Sequence, residues 1–144
     1  MFANDMNYEI IPIFLAYQDS DRIDQILGKY KNLRIIYKKK DIKNVFEDID
    51  ICVNNLWISL DTIKEIKNIY PDKHLISVCH SLIKMEHITN LGSIYTNNFY
   101  DQEITFMNSD VVVLISNAEE KYYKQFGYDK YDAVTYVIYN CYKP

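Results

Sequence analysis

The sequence predicts an α/β fold: a mainly parallel sheet of about six short strands with helices on both faces. Two observations predict it. Apolar runs rich in Ile, Val and Phe alternate with stretches whose apolar residues recur at helical spacing, and strands that alternate with helices of ten or so residues are joined by crossovers, which leaves them parallel. The chain has 144 residues, 49% of them hydrophobic and 25% charged, enough apolar material for one core, so residues 1–144 are expected to form a single domain.

The elements follow in order. Tyr8 to Tyr17 is an apolar run whose Ile and Phe content favours a buried strand. Asp19 and Ser20 then offer N-caps to a helix with Ile23, Ile26, Leu27 and Tyr30 on one face. A second strand is expected over about Leu33 to Lys38, a short helix over about Ile42 to Glu47, and a third strand over Ile49 to Val53, ending in Asn54 and Asn55. Ser59 can cap the next helix, Ile63, Ile66 and Ile69 line one side of it, and Pro71 stops it because the residue before a proline avoids helical geometry. His74 to Cys79 is the fourth strand, ending in His80 and Ser81. From Leu82 to Asn97 the pattern is irregular and contains Gly92, so a loop of functional length is expected before a helix near Asn98 to Asn108. Val111 to Ile115 is the fifth strand. Ser116 with Glu119 forms a capping box for the next helix, Gly127 closes it, and about Ala133 to Tyr139 is the sixth strand, followed by Asn140.

Composition excludes several classes of function. A formal net charge of −4 lacks the cationic face that phosphate neutralisation needs, so nucleic acid is not an expected partner. The apolar runs fall far short of the roughly 20 residues of a membrane-spanning helix, and no basic segment followed by an apolar run opens the chain. Cys52, Cys79 and Cys141 lack Cys-x-x-Cys spacing and sit in or beside apolar strands, where a reduced cysteine acts as a small hydrophobe. A cytoplasmic protein without disulfides or a structural metal is expected. The 14 tyrosines are accounted for by core aromatics and compositional bias.

In open parallel sheets ligands bind at the carboxyl ends of the strands. Here those ends carry Gln18, Asp19 and Ser20, then Asn54 and Asn55, His80 and Ser81, Ser116 and Asn117, and Asn140. This row of neutral hydrogen-bonding groups suits a polyhydroxylated ligand better than a highly anionic one. Helix capping and turn formation account for much of it. His80 stands apart, because histidine neither caps well nor prefers loops.

Other chemistries lack their parts. The turn after the first strand, Tyr17 to Ser20, has no Gly-x-Gly-x-x-Gly, and no phosphate-binding Gly-x-x-x-x-Gly-Lys loop or Gly-x-Ser-x-Gly elbow exists. His80 and His87 lack the His-Glu-x-x-His spacing of a zinc helix. Cys79 and His80 are adjacent on a strand and face opposite ways, which disfavours a nucleophile–base dyad.

The segments Asp48 to Val53, Leu75 to Leu82, Glu103 followed by Asn108 to Ser116, and Tyr136 to Asn140 resemble, in this order, four motifs of the retaining nucleotide-sugar-dependent glycosyltransferases of the two-domain GT-B fold, the group that includes sucrose and glycogen synthases. The resemblance implies a Rossmann-like half of a GT-B fold, the N-terminal, acceptor-side domain, without the nucleotide-sugar-binding C-terminal domain. It implies hexosyl transfer with retention, a nucleotide-diphosphate sugar as co-substrate, no other cofactor and no metal. Under it His80 is the catalytic candidate, near the anomeric centre, and Ser116 and Asn140 line the cleft or support the hinge; together with the strand-end residues Asn54, Asn55 and Ser81 they are the substrate-binding candidates. For Ser116 a cap role is sufficient, as a surface helix position is for Glu103, and Trp57 either stacks on an acceptor sugar or packs on the next helix. The implied partners are a sugar or lipid-linked acceptor and a second glycosyltransferase half or a second copy. Peripheral membrane contact through Ile83, Lys84 and Met85 with Lys38 to Lys40 is an extension of this reading. Two departures stand out: the first turn lacks the family's glycines, and the cationic pair that neutralises the diphosphate belongs to the domain this chain does not carry. Transfer by this chain alone is therefore not expected. The alternative is a non-catalytic binding or scaffold module of the same fold that pairs with another protein or a glycan. A flavodoxin-like receiver is disfavoured because its acidic strand-end cluster is missing.

Overall fold

The computed structural model describes residues 25, 46–55, 64, 67–89 and 97–139. The expected strands over 8–17 and 33–38, the turn at Gln18 to Ser20, the lysines at 38–40, Trp57, Asn140 and Cys141 lie outside the described residues. The chain divides into two compact units, residues 1–48 and 49–144; the second holds the elements below.

Among the described residues, four strands form one parallel sheet in the order β1-β2-β3-β4: β1 is Ile51–Asn54, β2 His74–Cys79, β3 Val111–Leu114 and β4 Val134–Val137. Each pairs with the next one in sequence. Ile51 sits beside His74, Ile76 beside Val111 and Val111 beside Val134. The sheet is joined by α1 over Ile83–Thr89, α2 over Asn97–Met107 and α3 over Asn117–Gln125, with a 3₁₀ turn at Tyr128–Lys130. Residues 64 and 67–69 are also helical, as the spacing of Ile63, Ile66 and Ile69 predicts, and the helix has ended before Pro71.

Strand alternation divides the sheet cleanly. Leu75, Ser77, Cys79, Val112 and Leu114 point to one face and are buried. Phe106 of α2, Tyr123 of α3 and Tyr128 of the 3₁₀ turn join Cys79, Leu82, Val112 and Leu114 in a single core. The three rings meet edge-on or tilted, with centroids 5.1, 5.1 and 5.5 Å apart, an arrangement worth about 0.5–1.5 kcal/mol per pair beyond the area it buries. On the opposite face, Ile51, Val53, Val134 and Tyr136 are more than half exposed, with Ile76, Val78, Val111 and Val113 between them partly exposed. Among the described residues, α2 and α3 pack on the buried face. The strand order explains it: right-handed crossovers between strands taken in succession all fall on the same side of a sheet.

A difference from the sequence expectation lies after β2. Much of the expected loop is α1, whose Ile83 is 1% exposed. α3 forms as its signals predict. The Glu119 N–H donates to Ser116 Oγ at 3.2 Å, and Gly127 adopts the left-handed conformation at φ 73°. The reciprocal half of the capping box is displaced by one residue, since the Glu119 carboxylate accepts the N–H of Ile115 at 2.8 Å rather than that of the cap itself.

At the amino end of the sheet Asp110 ties elements together. Its Oδ2 accepts the Leu75 N–H and the Lys67 ammonium, both at 2.7 Å. Lys67 also donates to the Lys73 carbonyl at 3.1 Å.

Candidate functional site

The carboxyl ends of β1 and β2 open into a small cavity of about 110 Å³ between the sheet and α2. Asn54, Asn55, His80 and Ser81, all chosen from the strand ends, line it together. Their convergence follows from parallel pairing: β1 and β2 run side by side, so the residues that leave them emerge at one edge. His80 is exposed while Cys79 before it is 5% exposed and in the core, the alternation that separates an imidazole from a neighbouring thiol. The Cys79 thiol donates to the Ser81 carbonyl at 3.1 Å. Burial first, with the Glu119 carboxylate adding to it, pushes this thiol up to about 12, so it is a packing group and not a nucleophile.

Ser116 has its hydroxyl engaged as the α3 cap, and it is not among the lining residues of this cavity. Glu119, held by Ile115, is near enough to His80 to feel its charge. Burial raises the Glu119 carboxyl above the usual range, outweighing the lowering by the Ile115 N–H and by His80. Glu103, part of the resemblance, lies away from the cavity, clasped by the Tyr131 hydroxyl and by Lys130 at 3.2 Å. The Tyr131 hydrogen bond leads the effects that lower its carboxyl. Ile83 and Met85 pack inward, and the Lys84 ammonium lies 4.7 Å from the centre of the Tyr128 ring.

The residue that strand-end reasoning misses is Gln102. It is 1% exposed in the middle of α2 and lines the cavity from the helix side. Its Nε2 donates to the Ser81 carbonyl at 2.8 Å and its Oε1 accepts the Ile83 N–H at 3.0 Å. The buried stripe of α2 and the turn that follows it is Gln102, Thr105, Phe106 and Ser109, spaced i, i+3, i+4, i+7 but mostly polar. Periodicity of apolar residues cannot reveal such a stripe. Every hydroxyl on it has a partner. Thr105 Oγ1 donates to the Asp101 carbonyl, Ser109 Oγ contacts the Thr105 carbonyl at 2.7 Å, and the Ser77 and Ser109 hydroxyls are 2.7 Å apart. Because the Thr105 carbonyl only accepts, the Ser109 proton goes to it and the Ser77 hydroxyl donates to Ser109.

Chemically the cavity offers amide, hydroxyl and imidazole groups and an aromatic edge from Phe106, with no lysine or arginine in its lining. Its volume is below the roughly 300–1,000 Å³ of pockets that enclose a whole small molecule, so it can receive part of a ligand. No grouping of three or more His, Cys, Asp or Glu side chains suited to a metal occurs among the described residues. No helix among them is long and apolar enough to cross a membrane. No family model matches the chain, and neither a curated protein nor a solved structure is significantly similar to it.

Proposed function

We propose that the chain is the acceptor-side domain of a retaining, nucleotide-sugar-dependent glycosyltransferase, with His80 facing the sugar and Asn54, Asn55 and Ser81 holding its hydroxyls. The observation that carries this reading is the gathering of these four residues around one uncharged cavity at the carboxyl edge of the parallel sheet. A neutral imidazole both donates and accepts, so it can follow a hydroxyl through changes of charge at a neighbouring carbon, and two carboxamides supply further donors and acceptors. Stabilising a departing diphosphate requires cations aimed at the developing charge. The cavity lining has none, so in this reading that task falls to a second domain or partner chain, and the small cavity takes one side of a sugar.

The test is a titration with methyl α-D-glucopyranoside and, separately, with uridine diphosphate, followed by amide chemical shifts. The hexoside is expected to bind weakly and to move the signals of Asn54, Asn55 and Ser81. His80→Ala should weaken it by about tenfold, the equivalent of ~1.4 kcal/mol, while uridine diphosphate alone causes no shift at these residues. Equal affinity of the wild type and His80→Ala would sink the assigned role. A second reading, a non-catalytic module of the same fold, draws on the half-exposed apolar residues Ile51, Val53, Val134 and Tyr136. Glucoside binding that survives every substitution in the cavity favours that module.

A further inference from the structure

The turn that carries His80 leaves β2 and enters α1 within three residues, and two anchors of different kinds hold it. Leu82, 1% exposed, packs into the core beside Phe106 and Tyr128. Packing of this sort fixes where the turn sits but not how its peptide planes are rotated, because dispersion has no direction. The rotation is set by hydrogen bonds: the Met85 and Glu86 N–H groups donate to the Leu82 carbonyl at 2.8 and 3.1 Å, and the turn is tied to α2 by Gln102. Its carboxamide bridges Ser81 and Ile83, the residues on either side of Leu82, donating to the carbonyl of one and accepting the N–H of the other at 2.8 and 3.0 Å. The same Nε2 lies 3.9 Å from Cys79 Sγ, and the thiol shares the Ser81 carbonyl. One buried amide from α2 thus contacts Cys79 just before His80, Ser81 just after it, and Ile83, the first residue of α1.

We propose that Gln102 is the positioning residue of the candidate site: by fixing the Ser81 and Ile83 peptides it sets the direction in which His80 projects and so the affinity of the cavity for a sugar hydroxyl. It touches the ligand only through the residues it orients. The proposal rests on the functional reading above for the identity of the ligand, but not for the coupling of Gln102 to His80. The amide is specific for this task. A glutamate keeps an acceptor for Ile83 but presents an oxygen to the Ser81 carbonyl, and a methionine keeps the volume and loses both bonds.

The experiment compares Gln102→Met and Gln102→Glu with Val112→Ala, a core substitution on β3 whose residue does not line the cavity. The readouts are the imidazole ¹⁵N shifts of His80, hydrogen exchange at the Ile83 amide, and binding of methyl α-D-glucopyranoside. Both Gln102 variants are expected to move or broaden the His80 ring signals and to speed Ile83 exchange by about tenfold or more. They should weaken hexoside binding about tenfold as well, while Val112→Ala leaves the His80 signals and the affinity unchanged despite its loss of stability. Unaltered His80 signals in a folded Gln102 variant, or the same shifts in Val112→Ala, would overturn the proposal. If Gln102→Met does not fold, Gln102→Glu at low pH, where its carboxyl is protonated and regains a donor, should give the His80 signals of the wild type at the same pH; failure to do so also overturns it. A wild-type chain that ignores the hexoside sinks the sugar reading alone, and the ring signals still decide the role of Gln102.

Discussion

Cys79 and Asp110 mark the two ends of the sheet and show what single side chains contribute there. Cys79 is in the core with its thiol pushed up to about 12 by burial, and Cys52 is raised to about 11 by the same cause. In a Cys52→Ser, Cys141→Ser background, Cys79 is therefore expected to resist a disulfide reagent at pH 8 and to react only as the structure opens. Labelling as fast as that of a free thiol would contradict the burial. Asp110 presents the opposite case. Burial raises its carboxyl, but the Lys67 ammonium, the Leu75 N–H and the charges of Lys67 and His74 together outweigh it, and the net direction is down. A carboxyl lower in the folded than in the unfolded state contributes stability above its unfolded value of about 3.9, and that contribution fades as pH falls through the folded value. Its side chain is 42% exposed, so solvent screening keeps the ion pair within about 1 kcal/mol. Urea unfolding should show Asp110→Asn less stable than wild type by about that amount at pH 7. The difference should narrow as pH falls below about 3.9, and a gap that stays constant on acidification would refute the electrostatic account.

Among the elements, α3 and α1 differ in where their instructions lie. α3 carries its own: Ser116 caps it, Glu119 returns to the preceding backbone, Glu120 pairs with Lys124 one turn later at 2.7 Å and Gly127 ends it. Ser116→Ala should cost about 0.5–2 kcal/mol in thermal or urea unfolding, and Ser116→Asp, which also caps, should recover most of it. Equal stability of all three chains would remove the capping role. By contrast α1 has seven residues, and an acceptor for its first N–H comes from Gln102 on another helix. A helix this short is marginal by itself, so its formation depends on a contact distant in sequence, which is why the segment reads as loop. The same cause hides Gln102, whose importance lies in partners 19 and 21 residues away.

At the scale of the whole molecule, the parallel character and the grouping of Asn54, Asn55, His80 and Ser81 were readable because both follow from local patterns and one general rule of strand direction. The strand order was not, because a run of Val or Ile between helices carries no information on which neighbour it will choose. Strand order in turn sets the pattern of protection. β2 and β3 are flanked on both sides, whereas β4 has one partner among the described strands. Amides of β3 are therefore expected to exchange hydrogen more slowly than those of β4. Equal rates in the two strands would argue for pairing beyond β4.

The succession β1-β2-β3-β4 also bears on how the sheet comes into being. A chain emerging from the ribosome delivers these strands in the order in which they are laid down, each docking on the one made just before it. None of the described strands waits for a partner still to be synthesised beyond its next neighbour, and each closure spans a single crossover, for which the entropy cost grows only slowly with length. Growth can thus proceed from one edge to the other. The cavity beside His80 is walled by β1, β2 and α2, all complete before β4 has been made.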